Sequence, residues 1–131
     1  MKLPTSLRHI ALVYCAFSAL SALAACPLPD TALRVGSVQA VWQTKPAPIQ
    51  NGKLFTLDVQ LCPADVKLMK VDATMPEHQH GMNYRPSIKH LAHGNWRAEG
   101  LMFHMPGTWE LKLDVQTAEG KLSLRDTIQL P

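Results

Sequence analysis

The chain has 131 residues, the size of one domain by the usual span of about 100–200 residues per domain. Its 13 Lys and Arg against 10 Asp and Glu give a formal net charge of +3. Two of those basic groups, Lys2 and Arg8, open a segment in which Ile10 to Ala25 is uncharged, largely apolar and ends in small residues, the pattern of an export signal. Residues 1–25 are therefore expected to be a signal peptide, leaving one exported domain over 26–131 with 11 basic and 10 acidic groups. That balance leaves no Lys/Arg cluster to neutralise phosphates, which excludes a nucleic-acid partner. The apolar run is also shorter than the roughly 20 residues of a membrane-spanning helix.

Leu23-Ala24-Ala25-Cys26 fits a bacterial lipobox, in which Cys26 would carry a lipid, while Ala22-Leu23-Ala24 fits an ordinary signal-peptidase site. In the first case the domain is lipid-anchored at Cys26 and Cys62 is a lone thiol. In the second, Cys26 and Cys62 are an even pair in an oxidising compartment and form a disulfide. Composition leaves both open. Either way the protein belongs in the periplasm.

Beyond Cys26-Pro27-Leu28-Pro29-Asp30, a stiff extended start, the chain alternates with a period of two, as half-buried strands do. Val38, Ala40 and Trp42 share one face. Pro46, Pro48 and Asn51-Gly52 then break the run, Asn-Gly being a strong turn signal. Phe55, Leu57, Val59 and Leu61 alternate with Thr56, Asp58 and Gln60, and Pro63 ends that strand. Met69, Val71, Ala73 and Met75 form the next apolar face, stopped by Pro76. A polar loop is expected from there to about Gly94. A further run starts at Trp96 and continues through Leu101 to Met105, followed by a Pro106-Gly107 turn. Trp109, Leu111, Leu113 and Val115 then alternate with Glu110, Lys112 and Asp114, and Leu122, Leu124, Ile128 and Leu130 close the chain. Six or seven short strands without a helix predict an immunoglobulin-like antiparallel β-sandwich, a small barrel being the alternative.

The chemistry is concentrated between residues 75 and 105. This window is 31 of the 106 exported residues, yet it holds all five of their histidines and four of their five methionines. An even spread would place only about a third there, so soft and borderline metal ligands are gathered in one stretch. In an extended segment His78, His80 and Met82 point to one side, and two imidazoles can converge on one ion at about 2.0–2.1 Å. Thioether sulfur selects copper, Cu(I) above all, over zinc. Gly81 is expected to let the backbone turn tightly around the ion. Met102 and His104 share a face opposite Leu101, Phe103 and Met105 and are the next candidate ligands. Met75 and Met105 continue apolar faces and are assigned to the core, as is Trp109. His90 and His93 flank a loop and are assigned to solvent.

Two blocks carry a family resemblance: Asp72-Ala73-Thr74-Met75-Pro76-Glu77-His78-Gln79-His80-Gly81-Met82, and Gly94-Asn95-Trp96-Arg97-Ala98-Glu99-Gly100-Leu101 with Met105-Pro106-Gly107-Thr108-Trp109-Glu110-Leu111. Across roughly residues 35–130 the chain resembles the YtkA-like and FixH-like domains, small exported or membrane-tethered bacterial β-sandwiches. The resemblance implies a role in copper handling, with a copper acceptor such as a respiratory oxidase or its assembly factors as partner. The His/Met pattern is similar in kind to periplasmic copper chaperones of the PCuAC and CopC types. Their ligand spacing is absent, and so is a histidine at the expected mature N-terminus. No Ser/His/Asp order, activated cysteine, carboxylate pair or nucleotide loop marks an enzyme. The expectation is copper binding or delivery through His78, His80, Met82, Met102 and His104, the alternative being a metal-free module that docks an envelope protein through the same loop.

Overall fold

The computed structural model describes residues 26–131. The expected signal peptide therefore lies outside the described residues. Nine strands form two antiparallel sheets: β1 Leu33–Val35, β2 Val38–Lys45, β3 Leu54–Cys62, β4 Lys67–Met75, β5 His80–Gly81, β6 Ser87–Ala92, β7 Asn95–Met102, β8 Gly107–Gln116 and β9 Lys121–Leu130. The five-stranded sheet runs β1-β2-β3-β7-β6 and the four-stranded sheet β5-β4-β8-β9. Without β1 and β5, the orders β2-β3-β7-β6 and β4-β8-β9 are the four-plus-three strand arrangement of the immunoglobulin fold, with β5 as the extra strand beside β4. No helix among the described residues is long and apolar enough to cross a membrane.

The alternation expected from sequence builds the core directly. Phe55, Leu57, Val59 and Leu61 of β3 face Val71, Ala73 and Met75 of β4 and Leu111, Leu113 and Val115 of β8 in one buried cluster. Trp109, Phe103, Leu101 and Leu124 complete it. Phe103 stacks on Trp109 with centroids 4.4 Å apart and meets Phe55 edge-on at 5.1 Å. The side where β2 approaches β9 is tied by Trp42, whose Nε1–H donates to Asp126 Oδ2 at 2.9 Å.

Two bulges shift what strict alternation predicts. Met69 was expected on the inner face of β4. Instead the β4–β8 register slips between Leu68 and Lys70, Leu68 is buried, and Met69 is 56% exposed. In β7 the slip falls at Gly100, which has a φ of +90° and no partner between Glu99 and Leu101. A bulge inserts one residue and so reverses the facing of everything beyond it. The run expected to reach Met105 ends as a strand at Met102. Within the expected loop to Gly94 the chain forms β5 and β6. β6 lies at a sheet edge with only Ile88 half-buried, so no hydrophobic period announces it.

Cys26 and Cys62 form a disulfide with Cα atoms 5.7 Å apart. A sulfur so bonded cannot also carry a thioether-linked lipid, so the structure takes the paired-cysteine alternative. Leu28 and Ala32 pack with Cys62 and Val41 in a second small cluster. The N-terminal segment is thus held against the outer face of the five-stranded sheet. On that face Asp58 accepts from Arg97 Nε at 2.6 Å and Nη2 at 3.1 Å, and from Lys45 Nζ at 2.6 Å. The two cations hold its carboxyl at about 2, below the ordinary 3.8, with Arg97's hydrogen bond the largest cause.

Two outcomes are expected. The non-reduced protein has a mass two hydrogens below that of the dithiol, and Cys62→Ser lowers unfolding stability by about 3–4 kcal/mol, the loop-closure entropy for a separation of this length. Because the folded pKa of Asp58 is depressed, its contribution is complete above pH 3.8 and is lost as pH falls towards 2. Urea unfolding should show Asp58→Asn less stable than wild type by about 1–2 kcal/mol at pH 6, with the gap closing below pH 3.

Candidate metal site

The histidines of interest lie at one end of the sandwich, where the β2–β3, β4–β5 and β7–β8 connections meet. Gly52 N–H donates to the Phe103 carbonyl at 2.8 Å and joins the first of these to the third. The disulfide and the β6–β7 turn with His93 lie at the opposite end, where Leu61 N–H donates to the Gly94 carbonyl at 2.8 Å.

The segment expected to run extended through His78, His80 and Met82 does not. Pro76–His78 is one 3-10 turn, for which the proline supplies a fixed φ, and Gln79 follows in the left-handed region at φ 54°. That reversal brings the chain back as β5 beside β4, pairing Met75 with His80 and Thr74 with Gly81. Directly opposed residues share a sheet face. Met75 points into the core, so His80 does as well. Gly81 serves a different purpose from the expected one: a Cβ there would lie 2.9 Å from the Ala73 carbonyl oxygen, so its absence is what lets β5 approach β4.

His104 comes from the β7–β8 connection. Trp109 Nε1–H donates to the Met105 carbonyl at 3.1 Å, which pins this loop above the Phe103–Trp109 stack. The imidazoles of His80 and His104 have centroids 5.1 Å apart, and those of His78 and His80 are 5.8 Å apart. His80 is the common member. Both His80 and His104 stand edge-on to Trp109, at 6.2 and 5.5 Å. His80 Nδ1 is buried and has no hydrogen-bond partner.

The expected ligands are therefore only partly united. His78, His80 and His104 are brought together. Met82 lies on the inner side of β5, its N–H donating to the Ala73 carbonyl at 3.0 Å, and it lines a cleft of about 460 Å³ with Met69, Tyr84, Arg85 and Ile88. Met102 is opposite exposed Leu54, on the outer face of the five-stranded sheet. Met105 packs against the core, while His90 is exposed and lies against Trp96 with centroids 4.4 Å apart. Among the described residues no three His, Cys, Asp or Glu side chains close on one point as a metal site.

The imidazole spacing nonetheless fits a shared ion. With metal–nitrogen bonds of about 2.0–2.1 Å the ion lies roughly 3.2 Å from each ring centroid, so two such rings have centroids about 4.5–6.3 Å apart as the angle at the metal opens from about 90° to 180°. Both observed separations fall in that interval. An orphaned buried imidazole nitrogen is the donor such an ion would use. No family model, curated protein or solved structure matches the chain.

The loop that carries His104 depends on the indole N–H. Trp109→Phe keeps the ring stack but leaves the Met105 carbonyl without its donor. An unfolding titration should read a loss of about 1–2 kcal/mol, and the His104 ring resonances should broaden.

Proposed function

We propose that this protein is an exported copper-binding domain that holds Cu(I) between His80 and His104 and passes it to an envelope acceptor. The observation that carries the reading is the His80 ring, its Nδ1 buried and unpartnered and its centroid 5.1 Å from that of His104. The concentration of His and Met in this one stretch supports copper over zinc. The Cys26–Cys62 disulfide supports an oxidising compartment. The sequence resemblance to YtkA-like and FixH-like domains points the same way, with a respiratory oxidase or its assembly factors as acceptor. Bound copper supplies a Lewis-acidic centre; the chain's own work is to position two neutral imidazoles and exclude water behind them with Trp109 and Phe103.

Delivery by ligand exchange needs one ligand within reach of the partner. His104 is exposed and supplies that ligand, and His78, exposed on its 3-10 turn 5.8 Å from His80, stands beside the route of an incoming acceptor. The protein then acts without catalysing a reaction.

A competition titration against a chromophoric Cu(I) chelator tests this. Wild type should bind one Cu(I), and His80→Ala/His104→Ala, shown to be folded, should lose it. Folded wild type that fails to compete overturns the copper reading and leaves the histidine end as a protein-docking surface.

A further inference from the structure

We propose that Met75, rather than Met82 or Met102, is the thioether ligand of this site, reaching the ion from the core side; the proposal rests on the copper reading above. Met75 is the least conspicuous of the candidates by sequence, because it continues the apolar face of β4, and it is only 1% exposed. Three observations place it beneath the imidazoles.

First, Met75 is the cross-strand partner of His80. Side chains so paired leave the same face, with Cβ atoms about 4.5–5.5 Å apart. Among the described residues no other methionine is in register with a histidine of the cluster. Second, the Met75 methyl fills the space above Gly107: a Cβ on that glycine would lie 2.8 Å from Met75 Cε. Gly107 closes the connection that carries His104 and has a φ of +126°, where a side chain is disfavoured in any case. The thioether therefore reaches from the His80 strand to the His104 loop. Third, Trp109, the ring both imidazoles meet edge-on, is itself fully buried in the cluster that contains Met75.

Two neutral imidazoles and one thioether form an uncharged, soft, three-ligand set. That suits Cu(I), a d10 ion content with low coordination numbers, and suits Zn(II) poorly, which is held in four-coordinate sites with anionic or imidazole ligands. Met82 faces the cleft beside β6 and Met102 the outer face of the other sheet, so neither shares this position.

The test is Met75→Leu, which nearly conserves volume and is tolerated in cores, alongside Met82→Leu and Met102→Leu. All are expressed from the full coding sequence, checked for folding and loaded with one Cu(I). X-ray absorption should show a Cu–S shell in wild type and in Met82→Leu and Met102→Leu, lost in Met75→Leu. Cu(I) affinity of Met75→Leu should fall by at least about 10–100-fold, the loss already typical of removing a supporting group outside the first shell. A nitrogen-only spectrum for wild type, or a sulfur shell that survives in Met75→Leu, overturns the Met75 assignment while leaving copper binding by His80 and His104 intact. Wild type that binds no Cu(I) overturns both. Should Met75→Leu not fold, the assigned methyl carbon resonances of wild type decide: the Met75 methyl should move on Cu(I) addition, with Met82 and Met102 still, and the reverse pattern refutes the assignment.

Discussion

The stack of Phe103 on Trp109 is the contact on which the rest of the molecule's useful end depends. It joins the strand that ends at Met102 to the strand that begins at Gly107, so it fixes the short connection between two sheets. The indole N–H then reaches the Met105 carbonyl and holds the loop's backbone next to His104, whose ring is exposed and stands edge-on to the indole. The same indole makes an edge-on contact with His80 of β5, two strands away in its own four-stranded sheet. Burying a ring of this size supplies the strong apolar gain that pays for ordering a loop with few bonds of its own. One side chain thus serves both packing and the registration of two imidazoles that are 24 residues apart in the chain.

The two ends of the sandwich are built on different principles. At one end, the disulfide, Leu28 and Ala32 seal the N-terminal segment over Val41 by a covalent link and a small apolar cluster. At the other, no covalent link is present among the described residues, and the connections are held by single hydrogen bonds to the Phe103 and Met105 carbonyls. The outer face between the ends carries the Lys45–Asp58–Arg97 network, in which the Asp58 carboxylate is 15% exposed, Arg97 33% and Lys45 60%. Local stability is therefore expected to be lower at the histidine end, where an exchanging ligand would have to move under the proposed reading.

Much of the fold was legible in the sequence because five strands, β2, β3, β4, β8 and β9, are each buried on one face and so carry a period of two. The pattern failed where the physics behind it was absent. Met69 and Gly100 are bulge residues, and an inserted residue leaves no mark on composition. β5 is two residues long and β6 has only Ile88 half-buried, so neither has a period to read. For the site, the residue types were legible and their geometry was not. The reversal at Gln79 depends on a left-handed backbone at a non-glycine, and it replaces the same-side row of His78, His80 and Met82 with a pairing of His80 against Met75. The apolar period of β4 assigns Met75 to the core, where the structure also places it; a ligand seated on the core side would carry the same sequence pattern.

The depth of the side chains along this end grades from solvent to core. His78 and His104 are exposed, His80 is half-buried against Trp109, and Met75 is buried as the cross-strand partner of His80. Under the proposed copper reading this gradient has a consequence for exchange. The sulfur and the His80 nitrogen are held by strand pairing and by packing that is complete before any ion arrives, so they add little ordering cost on binding. His78 sits on a single 3-10 turn with no side-chain cap, where a ring can swing at small energetic expense. An ion would therefore gain affinity from the rigid inner donors, and an acceptor would gain access through His104, the exposed ligand, with exposed His78 beside it. A site whose donors were all buried would hold its ion as firmly but would offer an acceptor no ligand to displace.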